Sequence, residues 1–375
     1  MDKKKIIRVT TVSLSVPFYI NIVPQLMQHY EVVGISSAGP ELKQLEEVGA
    51  RAITVEMARQ ISPLQDFKSL WQMIKVFRKE KPYIVHSMTP KAGLISMIAA
   101  WLCRVPVRIH TFTGLVWPTA KGLKRRILMA TDWLTCACAT HVIPEGEGVK
   151  ADLLSHHITS KPIKVLGYGN VRGVDMEYFK PTGEMHSSND FTFVYVGRIV
   201  KDKGIDELVA AFKRLQKVHQ NVRLILVGEY EDALDPISQV TAEEIRINEK
   251  IINEGLQSDV RPFYGMADAL VLPSYREGFP NVVLEAGAMG LPSIVTDING
   301  SREIIIEGIN GTIIPPRNEQ ALFKVMKNWV EHPAEVKKMA DQARSLIATR
   351  FERSIVQKSI LDFYKEVMDN VSARN

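Results

Sequence analysis

Cysteine is scarce in this chain of 375 residues, which contains three: Cys103, Cys136 and Cys138. Three thiols cannot build a disulfide framework, and the Cys136-Ala-Cys138 element has neither the spacing nor the second cysteine pair of a zinc site. All three lie in apolar, helix-like runs. We therefore expect core thiols and a protein of the reducing cytoplasm.

Long apolar runs are also missing from the sequence. The most apolar stretches, residues 92–103 and 128–143, are too short or too interrupted by polar side chains to span a bilayer. The first residues, MDKKKIIRVTTVSL, are basic and then apolar like a secretory signal, but they include Arg8 and several hydroxyl residues, and no clear cleavage site follows. The sequence therefore predicts neither a transmembrane segment nor a signal peptide.

Metal-binding patterns are absent as well. No clear Asp-x-Asp element stands beside a predicted strand, and His156 and His157 are adjacent rather than spaced along a helix face. We therefore expect a reaction that needs no metal and no other cofactor.

What the chain does have is a regular alternation of short β-like runs and helical patterns. With 46% apolar residues it can bury two substantial cores. The predicted strands of the first half are 6–12, 31–36, 52–56, 83–87, 107–112 and 140–143. Those of the second half are 191–197, 222–228, 268–274, 292–297 and 311–315. This rhythm is typical of parallel β-α-β units.

The expected architecture is therefore α/β, with two doubly wound, Rossmann-like domains facing across a cleft. We place the N-terminal domain at residues 1–183 and the C-terminal domain at 184–350. The polar, turn-rich segment 180–190 is the predicted linker. The last segment, about 351–375, has helical periodicity.

Charge is distributed unevenly between the two halves. Residues 1–183 contain 24 of the 47 basic residues and 14 of the 42 acidic ones, a net charge of +10, which leaves −5 for the rest and +5 for the chain. We expect the basic half to meet an anionic partner.

The most informative motif is EGFPNVVLE, in which Glu277 and Glu285 flank a Gly-Phe-Pro turn and a short helix. Gly278 allows close approach of a ligand, and Pro280 suits a first helical position. A diphosphate can bind at such a helix N-terminus, with carboxylates accepting hydrogen bonds from sugar hydroxyls. Alternatively, both glutamates are ordinary helix residues, which is the commoner case for an isolated glutamate. Against this, Glu285 lies in an apolar helix, where an unpaired carboxylate is costly.

A second motif, GRIVKDKG, follows a predicted strand and precedes a helix. Arg198 offers a bidentate fork and Lys203 a compact charge for a pyrophosphate, while Gly197 and Gly204 let the backbone approach it. The alternative for such a loop is a solvated surface that binds nothing.

These two motifs, together with GNVRGVDMEYF (169–179) and LPSIVTDINGSREII (291–305), make the chain resemble the family 4 retaining glycosyltransferases over nearly its whole length. The resemblance implies the two-domain GT-B fold, with the last helix crossing back onto the N-terminal domain. It also implies retention of anomeric configuration, with the leaving phosphate serving as base. Within the family, the pattern is most similar to enzymes of capsule, O-antigen and lipid-linked oligosaccharide assembly.

The resemblance also assigns roles to residues of the donor site. It implies that Arg198 and Lys203 stabilise the departing nucleoside diphosphate in place of a metal ion. Glu277 would contact hydroxyls of the donor sugar, and Glu285 those of the ribose. Main-chain N–H groups would line the sugar and phosphates at Gly278, Phe279, Asn281, Val282 and Val283.

Two departures from the family pattern concern the N-terminal domain. Many members have a Gly-Gly turn after the first strand, where this chain has a loop containing Ser13, whose hydroxyl can replace a glycine N–H. Many also carry a histidine near the reacting carbon, at the end of the strand that here reads HTFTG. Our register puts Thr113 there, followed by Gly114, with His110 three residues earlier. The register therefore puts threonine where many members have a catalytic histidine, and His110 is equally well explained as a core residue.

The acceptor side is predicted from charge. In GLVWPTAKGLKRRILMATDWL, four basic residues stand beside apolar side chains, with Trp117 just upstream. The basic residues are Lys121, Lys124, Arg125 and Arg126, and the apolar ones are Leu123, Ile127, Leu128 and Trp133. Such a basic amphipathic helix can lie on an anionic leaflet, and the alternative is a solvated helix face on the N-terminal sheet. We favour membrane contact, with Lys91 in the HSMTPKAG loop facing the same acceptor.

The sequence thus predicts a cytoplasmic, peripherally membrane-bound glycosyltransferase. The expected donor is a UDP-linked hexose or N-acetylhexosamine, and the expected acceptor is a polyprenyl-diphosphate-linked sugar in envelope polysaccharide or glycan assembly; nucleic acid is not an expected partner. One alternative is a nucleotide-sugar epimerase of the same fold, which needs several acid-base residues where we find only Glu277. The other, a non-enzymatic anion-binding protein, leaves EGFPNVVLE without a role.

Overall fold

The computed structural model describes residues 3–181, 190–231 and 235–372. The predicted linker 180–190 therefore lies mostly outside the described residues. The chain divides into two compact units, the first formed by Met1–Arg172 with Ser354–Asn375 and the second by Gly173–Arg353. Each unit is built on its own six-stranded parallel sheet.

The first sheet has the strand order β3-β2-β1-β4-β5-β6. Its strands are β1 Lys4–Val9, β2 Tyr30–Ser36, β3 Arg51–Thr54, β4 Ile84–Met88, β5 Val107–Phe112 and β6 His141–Pro144. All six were predicted from the alternation of apolar runs. The central strands are buried on both faces, as parallel strands covered by crossover helices must be.

Helices cover both faces of this sheet. They are α1 Val23–His29, α2 Leu42–Glu47, α3 Pro63–Glu80, α4 Pro90–Leu102, α5 Gly122–Cys138, α6 Glu147–Ser155 and α14 Arg353–Ser372, with 3-10 turns at Ser13–Phe18 and Ile20–Ile22. One core joins α3, α4, α5 and α6 to one face of the sheet, and a second core joins α1, α2 and α14 to the other. The buried thiols of Cys136 and Cys138 belong to the first core, while Cys103 is half-buried.

The last helix, α14, packs on the first unit although it follows the second along the chain. Its apolar face includes Ile360 and Tyr364, which lie in the core beneath the sheet. The Tyr364 hydroxyl accepts a hydrogen bond of 2.7 Å from the buried Arg8 guanidinium and lies 2.6 Å from His86 Nδ1. Burial lowers the pKa of His86 well below its ordinary value, and the positive charge of Arg8 lowers it further.

The second sheet has the order β12-β11-β10-β7-β8-β9. Its strands are β7 Phe191–Val196, β8 Val222–Val227, β9 Ile251–Gly255, β10 Ala269–Leu272, β11 Ser293–Thr296 and β12 Gly311–Ile314. Five were predicted, and β9 was missed. This strand lies at the sheet edge, carries Asn253 and Glu254, and has a register shift against β8, so its sequence lacks the continuous apolar run of a buried strand.

The helices of the second unit are α7 Ile205–Val218, α8 Gln239–Ile247, α9 Arg261–Gly265, α10 Asn281–Ala288, α11 Ser301–Ile304, α12 Glu319–Glu331 and α13 Pro333–Phe351, with a 3-10 turn at Lys201–Lys203. This unit begins at Gly173, eleven residues before the predicted boundary at 183/184. The reason is backbone pairing: Val174 N–H donates to Phe351 O, and Arg353 N–H donates to Val174 O, both at 2.9 Å. The segment that enters the second unit and the segment that leaves it are thus hydrogen-bonded to each other within that unit.

Candidate functional site

The predicted donor motifs meet at one edge of the second sheet. From β7 the chain runs to β8 and β9 on one side and then crosses to β10 on the other, so β7 and β10 form the topological switch point. Ligands of doubly wound sheets bind outside the carboxyl ends of the strands at this point. The GRIVKDKG loop follows β7, and the EGFPNVVLE motif follows β10.

The GRIVKDKG loop is shaped by two glycines. Gly197 directly follows β7 and has φ 147°, and the carbonyl of the next residue, Arg198, accepts a 2.7 Å hydrogen bond from the Tyr195 hydroxyl. Gly204 closes the 3-10 turn that carries Lys203 and adopts φ 71°. A Cβ at Gly204 would lie 2.2 Å from Pro273 O, so this close approach to the chain after β10 requires glycine.

The two motifs are joined by an ion pair between Lys203 and Glu277. Both side chains are largely buried, with 18% and 14% of their surface exposed. The buried Tyr195 lies near them: burial raises the pKa of its hydroxyl well above the ordinary value, and the negative charge of Glu277 adds to the increase. The structure thus brings together two of the residues predicted to carry the chemistry.

Arg198, the third predicted catalytic residue, pairs with Glu231. Glu231 follows β8, the neighbour of β7 in the sheet, and it was missed by the sequence analysis. The available signal was an acidic residue after β8. That signal indicates a partner for Arg198 only when β8 is known to lie next to β7 in the sheet. The site therefore contains two cations, each beside a carboxylate.

A further pair of contacts fixes the loop after β10 to the loop after β7. Tyr275 N–H donates to Asp202 O at 2.8 Å, and Arg276 Nε donates to the Asp202 carboxylate at 2.9 Å. Asp202 lies in the 3-10 turn beside Lys203. These bonds hold Lys203 and Glu277 on neighbouring, mutually supported segments.

The helix of the EGFPNVVLE motif differs in detail from the prediction. Pro280 is the residue before the helix, with φ −71° and ψ 106°, and α10 begins at Asn281 rather than at the proline. Phe279 is buried, and its ring packs against Phe351 with centroids 5.4 Å apart. Val283 is fully buried, and its N–H donates to Pro280 O at 3.1 Å. The Phe279 and Val283 side chains therefore belong to the core.

Glu285 is half-buried on α10 and has a partner. The hydroxyl of the buried Tyr264 donates to Glu285 Oε2 at 3.4 Å. This hydrogen bond offsets part of the free-energy cost of placing a carboxylate in an apolar helix. Gly278, just after Glu277, packs closely on the next loop, since a Cβ on Gly300 would lie 2.3 Å from Gly278 O.

In the first unit, the predicted acceptor-side residues lie after the carboxyl ends of three strands. Ser13 follows β1, is buried, and donates its hydroxyl proton to Glu41 Oε2 at 2.5 Å. Lys91 follows β4 and pairs with Asp66 at 2.5 Å. Both side chains therefore already have carboxylate partners.

Thr113 and Gly114 directly follow β5. Thr113 is half-buried, and Gly114 has φ 121°. His110, inside β5, is buried, with Nδ1 2.8 Å from Ser87 Oγ and its ring edge-on to Phe112. Burial lowers the pKa of His110 to about 3, so the ring is neutral, as expected of a core residue.

The helix α5 carries the predicted basic residues, but not all on one face. Lys124 and Arg126 are exposed, together with Leu123, Ile127 and Trp133. Arg125 instead lies over the Trp117 ring, 5.3 Å from its centroid. Trp117 is buried and donates its indole N–H to Asp132 at 3.1 Å. Trp117, which precedes the helix in sequence, is therefore a core residue, and Arg125 is half-buried because it covers the Trp117 ring.

Asp132 gives α5 a pH dependence. Burial raises the pKa of its carboxyl to about 7, although the Trp117 hydrogen bond opposes the increase. The folded state therefore keeps a proton that the unfolded state loses near pH 4, so stability falls as pH rises between about 4 and 7. In Asp132→Asn we expect this loss to be absent. The free energy of unfolding of the variant, relative to that of the wild type, should therefore rise with pH up to about pH 7 and stay constant above it. Urea unfolding of both proteins from pH 5 to 8.5 tests this, and a difference independent of pH would contradict it.

Among the residues described, no helix combines the length and the apolar character needed to cross a membrane. The same residues contain no group of three or more His, Cys, Asp or Glu side chains arranged to hold a metal ion.

An α/β unit that gathers two cations and two carboxylates at its switch point suits a ligand bearing both phosphates and hydroxyls. The model of the glycosyl transferase 4-like domain matches residues 24–169, and that of the group 1 glycosyl transferases matches residues 180–346. The capsular polysaccharide biosynthesis glycosyltransferase CapM of Staphylococcus aureus is 33% identical to the chain, with 97% of each covered. The UDP-Gal:alpha-D-GlcNAc-diphosphoundecaprenol alpha-1,3-galactosyltransferase of Escherichia coli is 28% identical over 74% of each.

Solved structures agree on the fold. That of Anabaena HepE in complex with UDP and glucose superposes with a TM-score of 0.80 at 17% identity, covering 97% of this chain and 100% of that one. The chain belongs to the family 4 glycosyltransferases and has their GT-B fold of two Rossmann-like domains. The resemblance seen in the motifs is thereby confirmed.

Proposed function

We propose that this glycosyltransferase moves a hexose or N-acetylhexosamine from a UDP-sugar to a polyprenyl-diphosphate-linked sugar in capsule or related envelope polysaccharide synthesis. The supporting relatives are a capsular polysaccharide enzyme and a galactosyltransferase whose name specifies a UDP-linked donor and a diphosphoundecaprenol acceptor. The single observation that carries the proposal is the joining of Lys203 to Glu277 at the switch point, with Arg198 on the same loop.

The two cations are proposed to bind the diphosphate of the donor. Arg198 and Lys203 pair with Glu231 and Glu277, so an incoming diphosphate competes with these carboxylates for the same charges. A diphosphate carries more negative charge than either carboxylate and can accept from both cations at once. Binding would then free Glu277 to accept hydrogen bonds from sugar hydroxyls.

The helix α10 is proposed to complete the donor site. Its first turn directs backbone N–H groups and the positive end of the helix dipole toward the sheet edge, near Gly278, Asn281 and Val282. Glu285, which already accepts a hydrogen bond from Tyr264, would accept further hydrogen bonds from ribose hydroxyls. The Val283 N–H contributes less, because it already donates to Pro280 O.

The chemical step is proposed to be retaining and independent of a metal. As the bond from the anomeric carbon to the phosphate oxygen breaks, negative charge grows on the diphosphate, and Arg198 and Lys203 stabilise it. The oxygen of the acceptor hydroxyl forms a bond to the anomeric carbon on the face that the phosphate leaves, and the leaving phosphate accepts the hydroxyl proton. Buried His110 takes no part, and Thr113 and Gly114 are the nearest candidates to line the acceptor.

The acceptor is proposed to reach the first unit from an anionic leaflet on the cytoplasmic side. The exposed Lys124 and Arg126 of α5, beside Leu123, Ile127 and Trp133, support peripheral membrane contact. Ser13 and Lys91 lie at the carboxyl ends of strands in the sheet of the first unit, where they can contact a bound acceptor.

The donor assignment is tested by the melting temperature of the protein with nucleoside diphosphates and nucleotide sugars, with and without EDTA. A ligand at 100 times its Kd stabilises the native state by about 2.7 kcal/mol, which corresponds to roughly 5–10 °C for a domain of this size. We expect such a shift with UDP and one UDP-sugar, unchanged by EDTA.

The matched variants make this test specific. Arg198→Ala with Lys203→Ala should abolish the shift, whereas Lys201→Ala, which removes an exposed lysine from the same turn, should keep it. A shift only with another nucleotide would replace the donor, and loss of the shift in EDTA would refute the metal-free mechanism.

Membrane contact by α5 predicts a charge-dependent affinity for vesicles. Each basic side chain near an anionic surface contributes about 1 kcal/mol, so Lys124→Ser with Arg126→Ser should weaken binding to phosphatidylglycerol vesicles roughly 30-fold. Sedimentation with vesicles measures this. The control removes the exposed Lys337 and Lys338 from α13 and should bind normally. Equal binding by both variants would show that α5 is a solvated helix.

A further inference from the structure

The exposed tryptophans of this protein lie on one layer of helices. Of the five tryptophans, Trp117 and Trp329 are buried, whereas Trp71, Trp101 and Trp133 are each more than half exposed. These three belong to α3, α4 and α5, consecutive helices in which α4 packs against both others. The layer covers one face of the first sheet, so its outer side is an exposed surface with an unusual aromatic content.

The helix α3 contributes a continuous apolar stripe to this surface. Leu64, Phe67 and Trp71 are 90%, 72% and 51% exposed. Their spacing of three and four residues puts them on one side of the helix. The opposite side, with Met73 and Phe77, is buried in the core. The helix is therefore apolar on both sides, which burial against its own sheet does not explain.

The stripe is flanked by positive charge. Lys68, Lys75 and Arg78 are exposed on the same helix, and Lys75 Nζ lies 5.7 Å from the centroid of the Trp71 ring. The two acidic residues of α3 are both engaged in ion pairs, Asp66 with Lys91 and Glu80 with Lys5 and Arg51. The exposed side of α3 thus offers large apolar groups beside cations that are not paired with either acidic residue of the same helix.

We propose that this α3 stripe is a second membrane-contact element, in which Leu64, Phe67 and Trp71 enter the interfacial zone of an anionic leaflet. Lys68, Lys75 and Arg78 would then meet lipid phosphates. The inference rests on the proposed membrane contact of α5 and extends it to a separate helix. The distance from Leu64 to Arg78 is about 21 Å along the helix, so α3 lies in the plane of the leaflet rather than crossing it.

Charge favours a bilayer over a second copy of the chain as the occupant. A symmetric dimer through this face would place the cations of one stripe against those of the other, which is repulsive. Tryptophan is typical of the bilayer interface, because its ring is apolar and its N–H remains hydrated. Two contact elements in the same layer of helices also bind more tightly than one, because the second contact is intramolecular once the first has formed.

The first test removes the apolar stripe. In the full chain, Phe67→Ser with Trp71→Ser should weaken binding to mixed phosphatidylglycerol and phosphatidylcholine vesicles at least tenfold. The matched control, Val240→Ser with Leu256→Ser, removes two apolar side chains of the second unit that are at least as exposed, and it should bind like the wild type. Unchanged vesicle binding by the α3 variant would overturn the proposal. The proposal would also fail if light scattering showed that the wild type is a dimer and the variant a monomer while vesicle binding stayed the same.

The second test does not depend on a destabilising substitution. With Trp101→Phe and Trp133→Phe, Trp71 is the one exposed tryptophan left, and its fluorescence should be quenched by vesicles of brominated lipid. Adding Trp71→Phe should remove that quenching. Bound protein whose Trp71 is not quenched would refute insertion of α3 while leaving α5 contact standing. The UDP-dependent shift in melting temperature should be normal in every variant, which separates failure of this surface from failure of the donor site.

Discussion

Replacement of Lys203 by alanine is expected to lower turnover by roughly 100-fold to 200-fold, about 3 kcal/mol, which is the usual cost of removing one donor to a developing negative charge. Lys203 lies on the loop after β7, beside Glu277. The departing diphosphate would lose one of its two proposed cations. Initial rates at saturating UDP-sugar measure the effect, because the contact counts most in the transition state.

The control variants distinguish chemistry from folding. Lys201→Ala changes an exposed residue of the same turn and should leave turnover unchanged, while Lys203→Arg keeps the charge and should recover part of the activity. Lys203→Ala also leaves Glu277 without its cation, so the melting temperature must be measured in parallel. Normal turnover in folded Lys203→Ala would remove this lysine from the reaction.

Replacement of Gly204 by alanine is expected to destabilise the second unit by about 3 kcal/mol or more. The backbone at Gly204 has φ 71°, which disfavours any side chain, and a Cβ there would lie 2.2 Å from Pro273 O. The clash is with backbone, so relief requires the loops after β7 and β10 to move apart. For a domain of this size, we expect a fall in melting temperature of roughly 6–12 °C. The shift caused by UDP should weaken as well, because Lys203 and Glu277 lie on those two loops.

Gly290 provides the matched control for this prediction. It has φ 83°, but a Cβ there meets nothing within 4 Å. Gly290→Ala should therefore show the cost of backbone strain alone, about 1 kcal/mol. Similar effects of the two substitutions would mean that the close approach to Pro273 is unimportant.

Much of the fold could be predicted from local patterns. Parallel strands buried on both faces are short apolar runs, and eleven of the twelve strands in the described part of the chain were recognised in this way. The exception, β9, is an edge strand. It is only partly buried, so its sequence is not a continuous apolar run. The proline of EGFPNVVLE marked the start of α10 to within one residue, because its fixed φ is compatible with the residue before a helix as well as with the first helical position.

The donor-site residues could be predicted only as separate motifs. Arg198 with Lys203, and Glu277 with Glu285, each form a local pattern of charge and glycine. The contact between Lys203 and Glu277 depends on β7 lying next to β10, and the contact between Arg198 and Glu231 on β7 lying next to β8. Glu231 was missed because the chain after β8 reads GEYED, and the sequence does not show which of its three acidic residues meets Arg198.

The same limit applied to the surface of the first unit. The amphipathic sequence of α5 was recognisable, yet Trp117 and Arg125 turned out to pack on each other, with Trp117 buried. The exposed stripe of α3 could not be recognised, because its apolar residues look like those of an ordinary core-facing helix. Residue order along the chain was sufficient for the strands, the motifs and the family, since these depend on neighbours in sequence. Partners and exposure were decided by tertiary packing, since they depend on which distant segments the sheet brings together.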